Sequence, residues 1–246
     1  MASIEFRNVT KTFPHVAGRT LLRTHLVRWF GRQHEEVFTA LKNVSFHMTP
    51  GESLAVVGRN GAGKSTLLSL VAGLSEPNAG SVKVHGRVAA LLELGSGFHP
   101  DLTGAENVVL NASLLGLSKK RTMELFDSIV DFSGIAEFIN DPLRTYSSGM
   151  GLRLAFSVAI NTQPDILLLD EVLAVGDAAF QAKCLEALRA FRNAGGTMLF
   201  VSHSAGAVKM MCDRALWIDA GEVVMDGAAG AVLDAYEGVA VPKPGA

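Results

Sequence analysis

"GRNGAGKS", residues 58–65, follows the apolar run "SLAVV" and leads into "KSTLLSLVAGL", which has helical spacing. The eight residues fit G-x-x-x-x-G-K-[ST], and a strand before with a helix after is the setting this pattern requires. Glycines let backbone N–H groups converge on phosphate oxygens, and the helix N-terminus adds its positive end. Gly58, Arg59, Asn60, Gly61, Ala62 and Gly63 are therefore expected to wrap the phosphates of a nucleotide, with Thr66 in the same set. Lys64 would reach the β- and γ-phosphates, and the Ser65 hydroxyl would ligate Mg²⁺.

Outward from this loop the chain alternates strand and helix. "SIEFRNVTKTF" and "ALKNVSFHM" read as strands, the second closed by the turn "TPGE". Gly80 to Val84 and "VAALLEL" are further strand candidates. Residues from about Gly104 to Phe138 carry a helical pattern broken at Gly116 and Gly134. "DILLLDE" and "TMLFVSH" are apolar runs of the kind buried on both faces of a sheet, and "AAFQAKCLEALRAFRNAGG" is a helix between them. "RALWIDAGEVVMDG" reads as a hairpin turning at Ala220-Gly221. Such alternation predicts an α/β fold with a mostly parallel core sheet.

Composition narrows the functional classes. The 246 residues are 48% hydrophobic, so a large core is available. A formal net charge of −2 gives no general attraction to nucleic acid or anionic lipid. Two cysteines, Cys184 and Cys212, form no CxxC pair and suggest neither a zinc site nor a disulfide scaffold. "MASIEFRNVTKTF" does not resemble a signal peptide, and no run approaches the ~20 apolar residues that span a bilayer.

"ILLLDE", residues 166–171, delivers Asp170 to the C-terminal end of a buried strand, where α/β sheets place ligands. Asp170 can hold Mg²⁺ through water. Glu171, next in the chain, can accept a proton from an attacking water. "FVSHS" ends another buried run and puts His203 at the same sheet edge, within reach of the γ-phosphate or that water.

"TYSSGM", residues 145–150, precedes the helical run "GLRLAFSVAIN". Small residues there can cap a helix or let its N-terminus press against a triphosphate. With the phosphate loop, the Asp-Glu pair and the distal histidine, the chain resembles the ATP-binding subunit of an ABC transporter from Ser3 to about Tyr236. The resemblance implies a P-loop NTPase fold of the ABC ATPase type, with an antiparallel N-terminal β portion. Residues 1–240 would be one ATP-binding domain with a helical subdomain at about 104–160, and 241–246 a flexible tail. Tyr146, Ser147, Ser148, Gly149 and Met150 occupy the place of the family's LSGGQ signature, 23 residues before Asp170 counted from Ser147. That signature acts on the ATP of an opposite subunit, so the resemblance implies a homodimer sandwiching two ATP molecules.

Asp177, ending "AVGD", falls at the D-loop position. No glutamine occurs between Gly86 and Thr103, and Glu93 is the candidate for the family's Q-loop residue. Phe13 stands where the family carries an adenine-stacking aromatic, with Phe38 as competitor beyond an insert of roughly 14–37. The departures "YSSGM" and "DEVLAVGD", together with "LLELGSGFHPDLTGAENV", are similar to exporters of lipid-linked polysaccharide: O-antigen, capsule and teichoic acid. That branch implies a separate polytopic permease that handles the polymer, a peripheral place on the cytoplasmic face of the inner (plasma) membrane, and no nucleic acid. A soluble ABC-type ATPase, a subunit for another substrate, or a P-loop kinase are the alternatives. Within the insert, Leu22, Leu26, Trp29 and Phe30 would form one apolar stripe of a basic helix, suited to a membrane surface, to the permease or to local packing.

Overall fold

The computed structural model describes residues 3–14, 37–91, 95, 97–170, 176–202 and 204–240. The insert at 15–36, Glu93, Glu171, His203 and the tail at 241–246 lie outside the described residues.

The strands fall where hydrophobic alternation and buried runs put them. They are β1 (Ile4–Pro14), β2 (Val37–Met48), β3 (Ser53–Val57), β4 (Ala79–Val84), β5 (Val88–Leu91), β6 (Ile166–Asp170), β7 (Thr197–Val201), β8 (Arg214–Asp219) and β9 (Glu222–Ala228). The helices are α1 (Lys64–Val71), α2 (Gly104–Leu114), α3 (Lys119–Ser133), α4 (Ser148–Asn161), α5 (Ala178–Asn193), α6 (Ala205–Met211) and α7 (Ala229–Ala240). Gly116 marks the turn between α2 and α3, and Gly134, at φ 63°, closes α3 in the left-handed region.

Six strands form the core sheet in the order β5-β6-β7-β3-β8-β9. All neighbours are parallel except β8 and β9, whose hairpin turns at Ala220-Gly221. The expected antiparallel portion is a separate three-stranded sheet, β2-β1-β4. Side-chain alternation divides the core sheet's two faces. Ala55, Val57, Leu167, Leu169, Met198 and Phe200 face α4, α5, α6 and α7. Leu54, Val56, Ile166, Leu168, Leu199 and Val201 face α1 and the small sheet. Both faces are covered, which is why these strands read as continuous apolar runs.

Helices α2, α3 and α4 build a third apolar cluster. α4 belongs to two clusters at once. Leu154 and Val158 pack with α2 and α3, while Phe156 and Ala159 pack on the core sheet. Residues 154–159 are therefore all buried, a pattern expected of a helix enclosed on every side. Phe156 is fully buried and meets Phe132 and Phe180 at ring-centroid distances of 6.1 and 6.2 Å. Phe156→Ala should cost about 3–5 kcal/mol by opening a cavity where α4 meets the rings of Phe132 and Phe180. Urea denaturation of the isolated subunit would measure it.

The two sheets are joined by Arg214 at the start of β8. Its guanidinium donates to the His47 carbonyl at 2.9 Å and Glu52 Oε1 at 2.7 Å, and holds Asp226 through two bonds of 2.6 Å. Burial pushes the Glu52 carboxyl up, but the Thr49 amide and hydroxyl and the Arg214 guanidinium together hold it below the ordinary carboxylate value. A carboxylate depressed in the folded state contributes stability above its unfolded pKa, and that contribution disappears as pH falls through the folded one. Thermal melting between pH 7 and pH 3 should show this acid loss. Glu52→Gln should lower stability at pH 7 and flatten the acid limb.

Candidate functional site

Residues 58–65 leave the C-terminal end of β3, the strand flanked by β7 and β8, and return into α1. The loop is clamped by backbone. Ala62 N–H donates to Arg59 O at 3.1 Å, Gly221 N–H to Ala62 O at 3.1 Å, and Lys42 N–H to Gly221 O at 2.8 Å. Two glycines permit this packing. A Cβ on Gly58 would stand 2.1 Å from the Ile218 carbonyl oxygen, and one on Gly63 would stand 2.4 Å from the Ala40 oxygen. Gly63 also has φ 107°, a conformation that L side chains rarely adopt. It is the N-cap of α1 and supplies no side-chain cap, so the amides of the first turn stay available to a ligand.

Lys64 is 7% exposed, and its Nζ donates to the carbonyls of Gly58 at 2.8 Å and Arg59 at 3.0 Å. The loop thus curls around the ammonium. A cavity of about 390 Å³ opens beside it, lined by Asn60, Gly61, Gly63, Lys64, Ser65, Thr66, Asp170 and Val201. Ser65 and Asp170, predicted from separate motifs, meet on this one wall. A hydroxyl and a carboxylate are hard oxygen donors of the kind Mg²⁺ takes, so the residues fit that ion. Phe38, 53% exposed, lines the same cavity. Phe13 is its register partner on β1 and carries the Lys11 ammonium 5.1 Å from its ring centre, but it is not part of the cavity wall.

A second cleft, of about 440 Å³, runs between α1, α2 and β5. Ser65 and Asp170 line it too, opposite Asn111, Leu114 and Leu115 of the helical region. Leu74 and Leu114 at its rim are 74% and 66% exposed. The segment beside this cleft is shaped by Asn107, which is fully buried. Its amide donates to the carbonyls of His99, Leu102 and Thr103 at 3.0, 3.1 and 2.9 Å and accepts from His99 N–H at 2.7 Å. Nothing in the sequence marks Asn107 for this duty.

Residues 146–150, expected to act as the signature, lead into α4. Ser147 is the N-cap, its Oγ accepting from Met150 N–H at 3.2 Å, and Ser147 and Ser148 are exposed. Tyr146 has a separate task. Its hydroxyl donates to the Phe138 carbonyl at 2.7 Å over Gly104, where a Cβ would stand 2.1 Å from that oxygen. Burial, with Asp141 nearby, pushes the phenol upward and keeps it a donor. Residues 146–150 do not line the cavity beside Lys64. Asp177 is the N-cap of α5, with Oδ1 accepting from Phe180 N–H at 2.8 Å. Burial pushes the Cys184 and Cys212 thiols up to about 12, which leaves both inert.

Among the described residues no helix is long and apolar enough to cross a membrane. A family model for the ABC transporter matches residues 41–174, more than half of the chain. The chain belongs to this family, and it is an ATP-binding ATPase subunit of the ABC type. It is 48% identical over 238 residues to the O-antigen export system ATP-binding protein RfbB of Klebsiella pneumoniae, covering 95% of this chain and 97% of that one. Against the teichoic acids export ATP-binding protein TagH of Bacillus cereus the identity is 40% over 222 residues, 90% of this chain and 40% of that longer one. Among solved structures, the dimeric post-hydrolysis state of the ATP-binding cassette MJ0796 bound to ADP and Pi superposes with a TM-score of 0.72. It is 22% identical and covers 92% of this chain and 98% of that one, and supports the fold.

Lys64→Ala should abolish most nucleotide affinity, because it removes the charged contact around which the loop is wrapped. Titration with a fluorescent ATP analogue, with melting as a folding control, checks this. Unchanged affinity would mean that residues 58–65 do not hold the phosphates.

Proposed function

We propose that this subunit powers the export of a lipid-linked cell-surface polysaccharide, O-antigen-like in kind, through a separate membrane permease. It would work as a homodimer, peripheral on the cytoplasmic face of the inner (plasma) membrane. The observation that carries the reading is the likeness to RfbB, which spans nearly the whole of both chains. The polymer would be handled mainly by the permease.

In each composite site, residues 58–66 of one chain hold the ATP phosphates, and Ser65 with Asp170 would hold Mg²⁺, whose positive charge would offset that of the phosphates. Phe38, by its place on the cavity wall, stacks on adenine in preference to Phe13. Ser147, Ser148 and Gly149 of the opposite chain close on the γ-phosphate through the amides at the start of α4. Glu171 takes the proton of the attacking water, and His203 holds the γ-phosphate or that water. Glu93 serves as the Q-loop acid.

Glu171→Gln should retain ATP binding and lower turnover by about 10²–10⁴-fold, the loss expected when general-base help is removed. Steady-state ATPase within a few-fold of wild type would remove Glu171 from this role. Ser147→Arg should block hydrolysis and leave ATP binding by the monomer intact. Mixing it with Lys64→Ala creates heterodimers in which one site carries both lesions and the other neither. Recovery of ATPase on mixing supports the sandwich; activity indifferent to mixing overturns it. Co-purification with a polytopic partner from membranes, and polymer export lost on deletion, separate this reading from a soluble ATPase.

A further inference from the structure

Arg153 lies six residues beyond Ser147 on α4, about 9 Å along the helix axis. Its side chain meets three other parts of the chain. Nε donates to the carbonyl of Ser133, the last residue of α3, at 3.0 Å. The guanidinium carbon sits 4.9 Å from the ring centre of Phe180, in the first turn of α5. Nη1 lies 3.8 Å from Asp177 Oδ2. Room for the arm is left by Gly176, where a Cβ would come within 3.3 Å of Arg153 Cγ.

The fold has little need of the last contact. Asp177 is 64% exposed, and pairs of this exposure contribute little to stability. Asp177 already caps α5 through its other oxygen. What the contact does have is direction. One hydrogen bond and a ring face fix the plane of the guanidinium, and Nη1 is turned to Asp177. A planar, pre-organised fork suits this, and a flexible ammonium does not.

We propose that Arg153 is a positioning residue that sets the Asp177 loop against the signature helix of its own chain. The two surfaces offered to a partner subunit then move as one. This rests on the two-subunit reading above, in which both surfaces work in trans.

The test is a double-mutant cycle on ATPase turnover by the full chain, using Arg153→Met, Asp177→Asn and their combination. Methionine keeps the apolar stem, and asparagine keeps the helix cap. Each single change should lower kcat about tenfold with KM for ATP unchanged, and the double should fall no further, as for residues acting through one another. Arg153→Lys should recover less than half of the lost turnover. A double variant lower by about a hundredfold, independent effects that multiply, would overturn the proposal. So would full recovery by lysine. If Arg153→Met lowers the melting temperature, Arg153→Gln takes its place in the cycle, judged by the same two outcomes. Ser147→Arg, assayed in the same series, separates the two layers. If it keeps wild-type ATPase, the two-subunit reading falls and this proposal with it. If it abolishes ATPase while the cycle is multiplicative, the Arg153 assignment alone fails.

Discussion

The phosphate loop is wedged between two backbones, and much of the molecule exists to hold that wedge. On one side stands the carbonyl of Ala40 in β2, on the other that of Ile218 in β8. The sheets carrying them are different, so loop geometry depends on how the small sheet sits on the core sheet. Arg214 fixes that seating by spanning β2, the turn at Glu52 and β9. The buried face of β1 and β2, with Phe6 stacked on Phe46 at 4.6 Å, supplies the apolar contact beneath. A loop pressed this tightly is shaped before any ligand arrives. Amides held in this way would lose little conformational freedom on taking up a phosphate.

α4 carries the second constraint. It begins beside the exposed Ser147 and Ser148 and ends under the core sheet, enclosed on every side at residues 154–159. The helical region cannot shift without moving this helix against the ring cluster of Phe132, Phe156 and Phe180. Tyr146, tied to the Phe138 carbonyl, fastens the other end of the signature to the same helical body. Lys183 adds to the joint by donating to the carbonyls of Asp131 and Phe132 at 3.3 and 2.9 Å, at the negative end of α3.

Much of this could be read from residues alone. The apolar runs at 53–57, 166–170 and 197–201 announced buried parallel strands because both faces are covered, and the helical breaks at Gly116 and Gly134 stand where predicted. Ser65 and Asp170 were assigned from motifs 105 residues apart and share one cavity wall. What stayed illegible depends on tertiary approach. Nothing local says that Phe38 lines that wall and Phe13 does not, since the two are register partners across antiparallel strands. Asn107 looks like any polar residue in a helix until its four bonds are seen. Arg153 sits inside a segment with a plain helical pattern, and its three contacts come from parts of the chain 20 to 27 residues away.

The cleft between α1, α2 and β5 shares Ser65 and Asp170 with the phosphate cavity. A shared pair of wall side chains is a route for coupling between the two volumes. A body seated in the cleft that shifts either side chain changes the affinity of the cavity for its nucleotide. Linkage then requires nucleotide to change the grip on that body by the same factor.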